Sequence, residues 1–204
     1  SNSHYKLCIG LCKILDECMV PTQEDGKFLF KNIFENEKQM GSIFEKFVLN
    51  FLEINLKDKF EIKAKELSWG FEPIGKSDKS YVPKMKTDIV LRHKLNKDRV
   101  IIIDTKFYKE QNILSKNQSN YKNETNSKKF NANNLYQITS YIINMKKEEG
   151  KNVNLEGVLL YAQNSSDIIL DEKYKWMDHK VTIKTVNLNQ EWKNIEKDLL
   201  EVCF

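Results

Sequence analysis

The 204-residue sequence predicts an α/β (α+β) fold, in which helices flank a central mixed β-sheet. Segments 38–55 and 132–148 repeat apolar residues with the 3.6-residue period of helices that bury one face. Segments 87–94 and 99–108 are rich in β-branched residues and are separated by a short polar turn, which predicts an antiparallel hairpin. A helix-carrying connection leads from this hairpin to the apolar segment 157–163, which favours a parallel pairing and therefore a mixed sheet.

The first 36 residues are predicted to be an N-terminal helical segment and linker. Residues 5–19 place apolar side chains at helical spacing, and Pro21 lies just beyond the pattern. The sequence starts at Ser1 rather than at a methionine, so we expect this segment to be the remnant of a longer N-terminal region. Residues 37–204 are expected to form the main domain.

The remaining segments are assigned by the same patterns. Residues 60–69 alternate like a strand, and residues 70–80 have the composition of a loop. Segment 109–130 is polar and low in complexity, and it is predicted to be either a mobile flap over the functional site or a variable surface loop. A strand is expected over 179–188, and an amphipathic helix over 189–204.

The composition sets limits on partners and location. A hydrophobic content of 40% is enough for a packed core, and a net charge of +4 permits an anionic partner without demanding one. No apolar run approaches the roughly 20 residues that span a bilayer, and no signal-peptide pattern is present. We therefore expect a cytoplasmic protein with no membrane partner.

Charged residues stand at the ends of both strands of the predicted hairpin. Strand alternation puts Asp104 and Lys106 on one face, with Thr105 opposite. A turn centred near residues 96–97 would place Asp88 opposite residue 105, diagonal to Asp104 and within side-chain reach. Two carboxylates and an ammonium group suit hydrolysis of a phosphodiester assisted by Mg²⁺, a cation that prefers oxygen ligands. A salt bridge at a solvated strand end explains the same three residues equally well.

Both predicted helices carry polar residues at the border of their apolar stripes. Glu45 lies beside Leu52, from where its carboxylate can reach a sheet packed against the helix, although a solvated glutamate is the commoner case. Gln137 and Tyr141 are four residues apart and share a helix face. They are either satisfied polar residues at the edge of the core or groups that contact a phosphate or orient the lysine.

Taken in order, these residues resemble a known family. Asp88, then Asp104-Thr105-Lys106, with a preceding glutamate helix and a following Gln-x-x-x-Tyr, is similar to the PD-(D/E)xK nuclease superfamily and its RecB-like branch. The blocks VPKMKTDIVL, IIIDTKFY and NLYQITSYI resemble the McrC family, the nuclease subunits of modification-dependent restriction systems. LLYAQ and TVNLNQEW also resemble that family, so the similarity runs from about residue 38 to the C-terminus.

The resemblance implies a function. It implies a restriction-endonuclease-like core and a Mg²⁺-dependent DNA endonuclease activity in residues 37–204, with Mn²⁺ able to substitute. It implies double-stranded DNA as the substrate and a McrB-like AAA+ GTPase as the partner, in defence against modified foreign DNA. A homodimer is left open.

The resemblance also implies site residues. The metal ligands it implies are Glu45, Asp88 and Asp104. The catalytic residues it implies are Asp88, Asp104, Lys106, Gln137 and Tyr141. Five lysines beside Asp88 or flanking the 109–130 segment are candidates for contacts with DNA phosphates, which position DNA without reading its sequence; they are Lys84, Lys86, Lys109, Lys128 and Lys129.

Two alternative functions remain. The chain could be a non-catalytic nuclease-fold subunit that binds DNA or stimulates the motor, although every ligand and the lysine are present. It could also be a RecB-like or Cas4-like exonuclease, whose relatives often hold an iron–sulfur cluster on dispersed cysteines. The spacing of the four cysteines does not follow that pattern, so we interpret them as free thiols. Trp69, Trp176 and Trp192 are interpreted as core or interface aromatics rather than a base-stacking platform.

Overall fold

The computed structural model describes residues 19–21, 28–30, 37–108, 114–116, 128–150, 152–163 and 169–204. The elements in these residues are three α-helices and twelve strands, with a 3₁₀ turn at Lys79–Tyr81. The helices are α1 (Glu37–Leu56), α2 (Ala132–Glu149) and α3 (Trp192–Glu201). The strands before α2 are β1 (Met19–Pro21), β2 (Phe28–Phe30), β3 (Phe60–Lys63), β4 (Glu66–Leu67), β5 (Met85–Lys86), β6 (Ile89–His93), β7 (Arg99–Phe107), β8 (Leu114–Lys116) and β9 (Lys128–Phe130). The strands after it are β10 (Asn154–Gln163), β11 (Asp171–Trp176) and β12 (His179–Asn187).

Six strands form a central mixed sheet in the order β11-β12-β10-β7-β6-β3. Strand β10 runs parallel to both β7 and β12, whereas the β6–β7, β3–β6 and β11–β12 pairs are antiparallel. The carboxyl ends of β7, β10 and β12 therefore meet at one edge of the sheet. Shorter pairs, β1–β2, β4–β5 and β8–β9, lie outside it. This architecture confirms the predicted mixed sheet flanked by helices.

The helices cover both faces of the sheet. One face packs against α1 and α3, and Ile101 and Ile103 of β7 belong to that core. The other face packs against α2, and Val100 and Ile102 belong to the second core. The alternation along β7 continues beyond these residues, so that Asp104 follows Ile102 onto the α2 face. Within the described residues, none of the helices combines the length and apolarity needed to cross a membrane.

The predictions with strong periodicity are confirmed. The helix expected over 38–55 is α1, and the helix expected over 132–148 is α2, which ends at Gly150 with a φ of 92°. The hairpin is β6 and β7, and the expected parallel partner is β10. The strand expected over 179–188 and the C-terminal helix are β12 and α3.

Other predictions were wrong in part. The single strand expected over 60–69 is two short strands in different sheets, β3 and β4. The pairing shifts by one position between Lys63–Val90 and Glu66–Lys86. At the shift, the Thr87 backbone N–H and hydroxyl both donate to the carbonyl oxygen of Lys65, at 2.9 and 3.0 Å. Segment 109–130, predicted to be a flap or a surface loop with no strand assigned, contributes β8 and β9, which pair with each other. Met19 begins a strand, and residues 5–18 of the predicted N-terminal helix lie outside the described residues.

Gly157 sets the distance between β10 and α2. A Cβ added there would lie 2.7 Å from Ile142 Cδ1 and 2.9 Å from Ile138 Cγ1. We expect Gly157→Ala to lower the free energy of unfolding by about 1–3 kcal/mol, because the overpacked core must shift. Urea denaturation followed by circular dichroism measures this change.

The matched control is Gly41→Ala in α1. A Cβ at Gly41 meets nothing within 4 Å, and alanine favours a helix by about 0.5–1 kcal/mol. The two variants should therefore change stability in opposite directions. Equal stability of Gly157→Ala and the wild type would contradict the close approach.

Candidate active site

Asp104 and Lys106 lie near the carboxyl end of β7, on the face that α2 covers. Asp104 is fully buried, and Lys106 Nζ lies 2.6 Å from Asp104 Oδ2. This ion pair compensates Oδ2, whereas Oδ1 accepts no hydrogen bond from a described residue. An unsatisfied buried carboxylate is costly unless a cation or a proton compensates it.

Electrostatics tie Asp104 to two other carboxylates. Burial raises the pKa of Asp104 to about 7, although the neighbouring Lys106 ammonium opposes this rise. The charges of Asp88 and Glu45 add to it. The pKa of Glu45 is also raised, first by burial and then by Asp88. All three residues predicted as metal ligands therefore share one electrostatic environment.

Asp88 lies just before β6 and ends the β6–β7 ladder. Its Oδ2 accepts hydrogen bonds from the backbone N–H of Thr105 at 2.7 Å and from the Thr105 hydroxyl at 2.9 Å. The strand register pairs Ile89 with Ile103, so its continuation places Asp88 opposite Asp104. The predicted pairing near residue 105 is confirmed to within one position, because the hairpin turn is centred at residue 96. The expected proximity of Asp88 to the end of β7 is confirmed.

A chain of hydrogen bonds from α2 holds Lys106. Lys106 Nζ donates to Gln137 Oε1 at 3.0 Å, and Gln137 Nε2 donates to the Tyr141 hydroxyl at 2.8 Å. The Tyr141 hydroxyl in turn donates to the carbonyl oxygen of Lys86 at 2.8 Å. Burial raises the pKa of Tyr141 to about 12, which keeps its hydroxyl protonated and able to donate. The structure thus links Gln137 and Tyr141 to the lysine by hydrogen bonds. This agrees with the interpretation in which these two residues orient the lysine.

The residues fit a divalent cation in chemistry but do not form a ready ligand set. Asp104 offers two buried oxygens, of which Oδ1 has no hydrogen-bond partner in the described part of the chain, and Asp88 and Glu45 add negative charge beside it. Hard cations such as Mg²⁺ prefer such oxygen donors. However, in the described part of the chain no three His, Cys, Asp or Glu side chains converge as closely as a metal site requires. The three carboxylates influence one another's pKa values, but within the described residues they do not form one compact ligand group.

The candidate DNA-contacting lysines differ in their surroundings. Lys84 is exposed and forms an ion pair with Glu66 at 2.9 Å, which raises the pKa of Lys84. Lys86 is exposed on β5, and its charge opposes the rise in the pKa of Glu45, so its ammonium lies within electrostatic range of the carboxylates. Lys129 is exposed on β9. Lys109 and the side chain of Lys128 lie outside the described residues.

Several residues at this edge of the sheet were not predicted. Asn134 of α2 accepts from the Tyr108 hydroxyl at 3.1 Å and donates to the Tyr161 hydroxyl at 2.9 Å, which braces α2 against β10 beside the lysine. Gln163, at the end of β10, is 3% exposed, and neither atom of its amide has a hydrogen-bond partner among the described residues. The sequence could have indicated Gln163 through its position, because it ends the apolar segment predicted to pair with β7.

The tryptophans and cysteines follow the predictions in part. Trp192 contacts Phe47 and Phe51 edge to face, as a core aromatic. Trp69 instead stacks on Phe71 at the surface. Cys203 is a buried free thiol, and burial raises its pKa to about 12. The other three cysteines lie outside the described residues.

Comparisons with known proteins assign the family. Residues 1–162 match the family described as McrBC 5-methylcytosine restriction system component. The chain is 30% identical over 199 residues to the type IV methyl-directed restriction enzyme EcoKMcrBC of Escherichia coli K12. The match covers 98% of this chain and 52% of the relative, so the chain spans about half the relative's length.

A solved structure is also similar, at a level that supports no conclusion by itself. It is the half-complex of Thermococcus gammatolerans McrB AAA+ hexamers with bound McrC, with a TM-score of 0.49 and 18% identity over 80% of this chain and 33% of that one. The sequence matches are sufficient without it. The chain belongs to the McrBC 5-methylcytosine restriction system component family.

Proposed function

We propose that this chain is a Mg²⁺-dependent DNA endonuclease of the PD-(D/E)xK type, the nuclease subunit of a restriction system directed against modified foreign DNA. The observation that carries the proposal is Asp104. It is fully buried, its Oδ2 lies 2.6 Å from a lysine ammonium, and its Oδ1 accepts no hydrogen bond from a described residue. A protein with no need for a cation at this position would gain stability from an apolar residue there.

Each residue of the site has a role in this proposal. Asp88 and Asp104 hold the cation, and Glu45 adds a third carboxylate from α1. A bound Mg²⁺ would polarise the scissile phosphate and favour ionisation of an attacking water. Lys106 has three N–H donors and contacts Asp104 and Gln137, so a third donor is available for a phosphate oxygen or the water.

The supporting residues act on the lysine. Gln137 fixes the direction of the Lys106 ammonium, because it accepts one N–H while its own amide is held by Tyr141. Tyr141 anchors this chain of hydrogen bonds to the carbonyl oxygen of Lys86, close to Asp88. A preorganised donor of this kind stabilises the charge that develops on the phosphate.

The proposal includes a partner. We infer that the chain acts with a McrB-like AAA+ GTPase, which supplies GTP-driven movement. Membership of a restriction-system component family and similarity to a methyl-directed enzyme support this inference. In this scheme recognition of the modified base resides in the partner, and the chain contributes the cut.

Cleavage of covalently closed plasmid DNA tests the activity. We expect nicking or linearisation that requires Mg²⁺ or Mn²⁺ and is abolished by EDTA, measured with and without the cognate GTPase and on methylated and unmodified plasmid. A closed circle has no ends, so its cleavage also excludes an exonuclease. Cleavage that is unaffected by EDTA would refute the metal-dependent mechanism.

One observation favours the non-catalytic alternative. Within the described residues the carboxylates do not form a compact three-ligand group, as expected for a nuclease fold that binds DNA without cutting it. Calorimetric titration with Mn²⁺ separates the two functions. Binding that is lost in both Asp88→Ala and Asp104→Ala supports the endonuclease, and absence of binding in the presence of DNA supports the alternative.

The rate of cleavage should depend on pH through Asp104. A metal ligand must be ionised, and burial raises the pKa of this carboxyl to about 7. Below that pH the proton competes with the cation. At subsaturating Mg²⁺ we therefore expect the rate to fall about tenfold for each pH unit below the pKa and to level off above it. Saturating Mg²⁺ should move the fall to lower pH, and a flat profile at subsaturating Mg²⁺ would contradict this assignment.

A further inference from the structure

The flank of α2 that faces away from Lys106 borders a concave surface. A cavity of about 570 Å³ opens there between α2, β9 and the edge of the sheet formed by β11 and β12. Four aromatic side chains line it, and two branched residues of β12 form its floor. We call it the aromatic pocket; its defining residues are Phe130, Tyr136, Tyr174, Trp176, Val181 and Ile183.

The local structure explains why these rings converge. Alternation along β11 puts Tyr174 and Trp176 on one face, and the register places Tyr174 beside Val181. Phe130 approaches the Tyr174 ring edge to face, with the centroids 6.1 Å apart. Tyr136 contributes from the first turns of α2. Strand β11 was not predicted, so the sequence alone could not bring Trp176 to the other rings.

The pocket leaves aromatic surface in water. Tyr136 is 67% exposed and Tyr174 is 46% exposed, although the floor beneath them is buried. A concave surface with exposed rings is typical of a binding site, and its volume falls in the range of such sites. Flat rings on several sides favour a flat occupant over a branched aliphatic one.

The charges at one end of the pocket favour an anionic occupant. Helix α2 begins directly after Phe130, and the side chain of Asn131 caps it by accepting from the Asn133 N–H at 3.0 Å. The first turn of this 18-residue helix contains no acidic residue, so its positive end is not neutralised there. Lys129 is exposed on the strand that leads into it. A phosphate group beside a ring-shaped occupant would meet both features.

The pocket and the candidate active site share a helix. Tyr136 of the pocket is adjacent in sequence to Gln137, which contacts Lys106. One strand of nucleic acid that passes over the start of α2 would therefore approach both. The cavity lining includes none of the three carboxylates, so the two sites are separate in their chemistry.

We propose that the aromatic pocket binds an unpaired DNA base, which stacks on its rings, in the strand next to the cleavage position. Locally single-stranded DNA is then part of the substrate. This inference rests on the proposed function. It also revises the interpretation of Trp176 as only a core or interface aromatic. Base stacking on aromatic side chains tolerates any sequence because every base has a π-face. The pocket would therefore hold the strand without choosing the site.

Binding of a fluorescent single-stranded oligonucleotide in EDTA tests the proposal without any cleavage. We expect Tyr136→Leu and Tyr174→Leu each to weaken binding about tenfold, because leucine keeps apolar bulk but lacks a stacking face. Ile143→Ala is the matched control, since Ile143 is 50% exposed on the same side of α2 two turns away and does not line the pocket. Binding of a blunt duplex should change less than twofold in all three variants.

A second measurement covers the case in which a leucine variant folds poorly. The oligonucleotide should quench tryptophan fluorescence in the wild type and in Trp69→Phe, and the quenching should disappear in Trp176→Phe.

Unchanged oligonucleotide affinity in folded leucine variants, or an equal loss of duplex binding, would overturn the proposal. Dimerisation of the wild type that either leucine variant abolishes would overturn it in favour of a second copy. Failure of the proposed function would appear separately, as absence of Mg²⁺-dependent cleavage by a protein that still binds the oligonucleotide.

Discussion

Asp104→Asn will cut DNA at least about a thousandfold more slowly than the wild type, under any conditions in which the wild type cleaves. The reason is that the asparagine amide keeps the shape of the side chain but removes the charge that holds the cation. Initial rates of plasmid linearisation measure the effect. Calorimetric titration with Mn²⁺ should show a parallel loss of metal binding.

The same variant should be more stable than the wild type at pH 8. Asp104 has an ordinary pKa of 3.8 when unfolded and a pKa of about 7 when folded, so its ionised form is disfavoured by the fold. One pKa unit corresponds to about 1.4 kcal/mol, so the wild type is destabilised by up to about 4 kcal/mol above pH 7. We expect Asp104→Asn to recover about 1–3 kcal/mol of this, because Lys106 loses its ion pair.

The stability cost of ionising Asp104 should increase with pH. Because the folded pKa is raised, the penalty is fully present above about pH 7 and vanishes as the pH falls toward the unfolded value of 3.8. The stability advantage of Asp104→Asn should therefore shrink between pH 8 and pH 4. Asp58→Asn, at an exposed position after α1, is the control and should change neither cleavage nor stability. A cleaving Asp104→Asn enzyme would remove the basis of the proposed function.

Lys106→Met should lower the rate of cleavage by about a hundredfold to a thousandfold while leaving the metal ligands in place. Methionine fills the same volume but cannot donate to a phosphate oxygen or a water. The Lys106 ammonium also holds the pKa of Asp104 below the value that burial alone would give. The pH at which the rate levels off should therefore move upward in Lys106→Met, and a pH–rate profile measures both effects.

Two comparisons identify the role of the lysine. Gln137→Ala keeps the ammonium but removes one of its two contacts, so its rate should fall between those of the wild type and Lys106→Met. Lys84→Met removes an exposed ammonium paired with Glu66, and it should weaken DNA binding in a salt-dependent way with little effect on the maximal rate. A Lys106→Met enzyme that changes only its affinity for DNA would show that the lysine is a phosphate contact and not part of the chemistry.

The parts of the fold that were predictable are those with two buried faces or a strong helical stripe. Strand β7 is almost continuously apolar because α1 and α2 cover its two faces, and that pattern predicted both its position and its partner. Strand β11 is an exposed edge strand in which most residues are charged. Its pairing with β12 depends on backbone hydrogen bonds, which leave little trace in the residue pattern. The break between β3 and β4 was hidden for a related reason, because a one-position shift in backbone pairing leaves the alternation of side chains almost unchanged.

The relative positions of Asp88, Asp104 and Lys106 were predictable from the sequence, but the burial of Asp104 was not. Residue types and spacing identified Asp88, Asp104 and Lys106, since alternation along a strand fixes which side chains share a face. Asp104 is completely buried on the face that α2 covers, and the close packing of α2 on β10 involves Gly157, in a distant part of the sequence. Gln163 and the aromatic pocket depend on three-dimensional neighbours that no short motif contains.

The hydrogen bonds between Asp88 and Thr105 have a spectroscopic consequence. The amide proton of Thr105 is donated to a carboxylate oxygen, at the point where the strand ladder gives way to the site. A cation that binds the same Asp88 oxygen would compete with the Thr105 amide proton for the lone pairs of that oxygen. The chemical shift and the hydrogen exchange of this one amide should therefore report occupancy of the site directly. Ligand binding could then be followed in a protein that has been disabled for cutting.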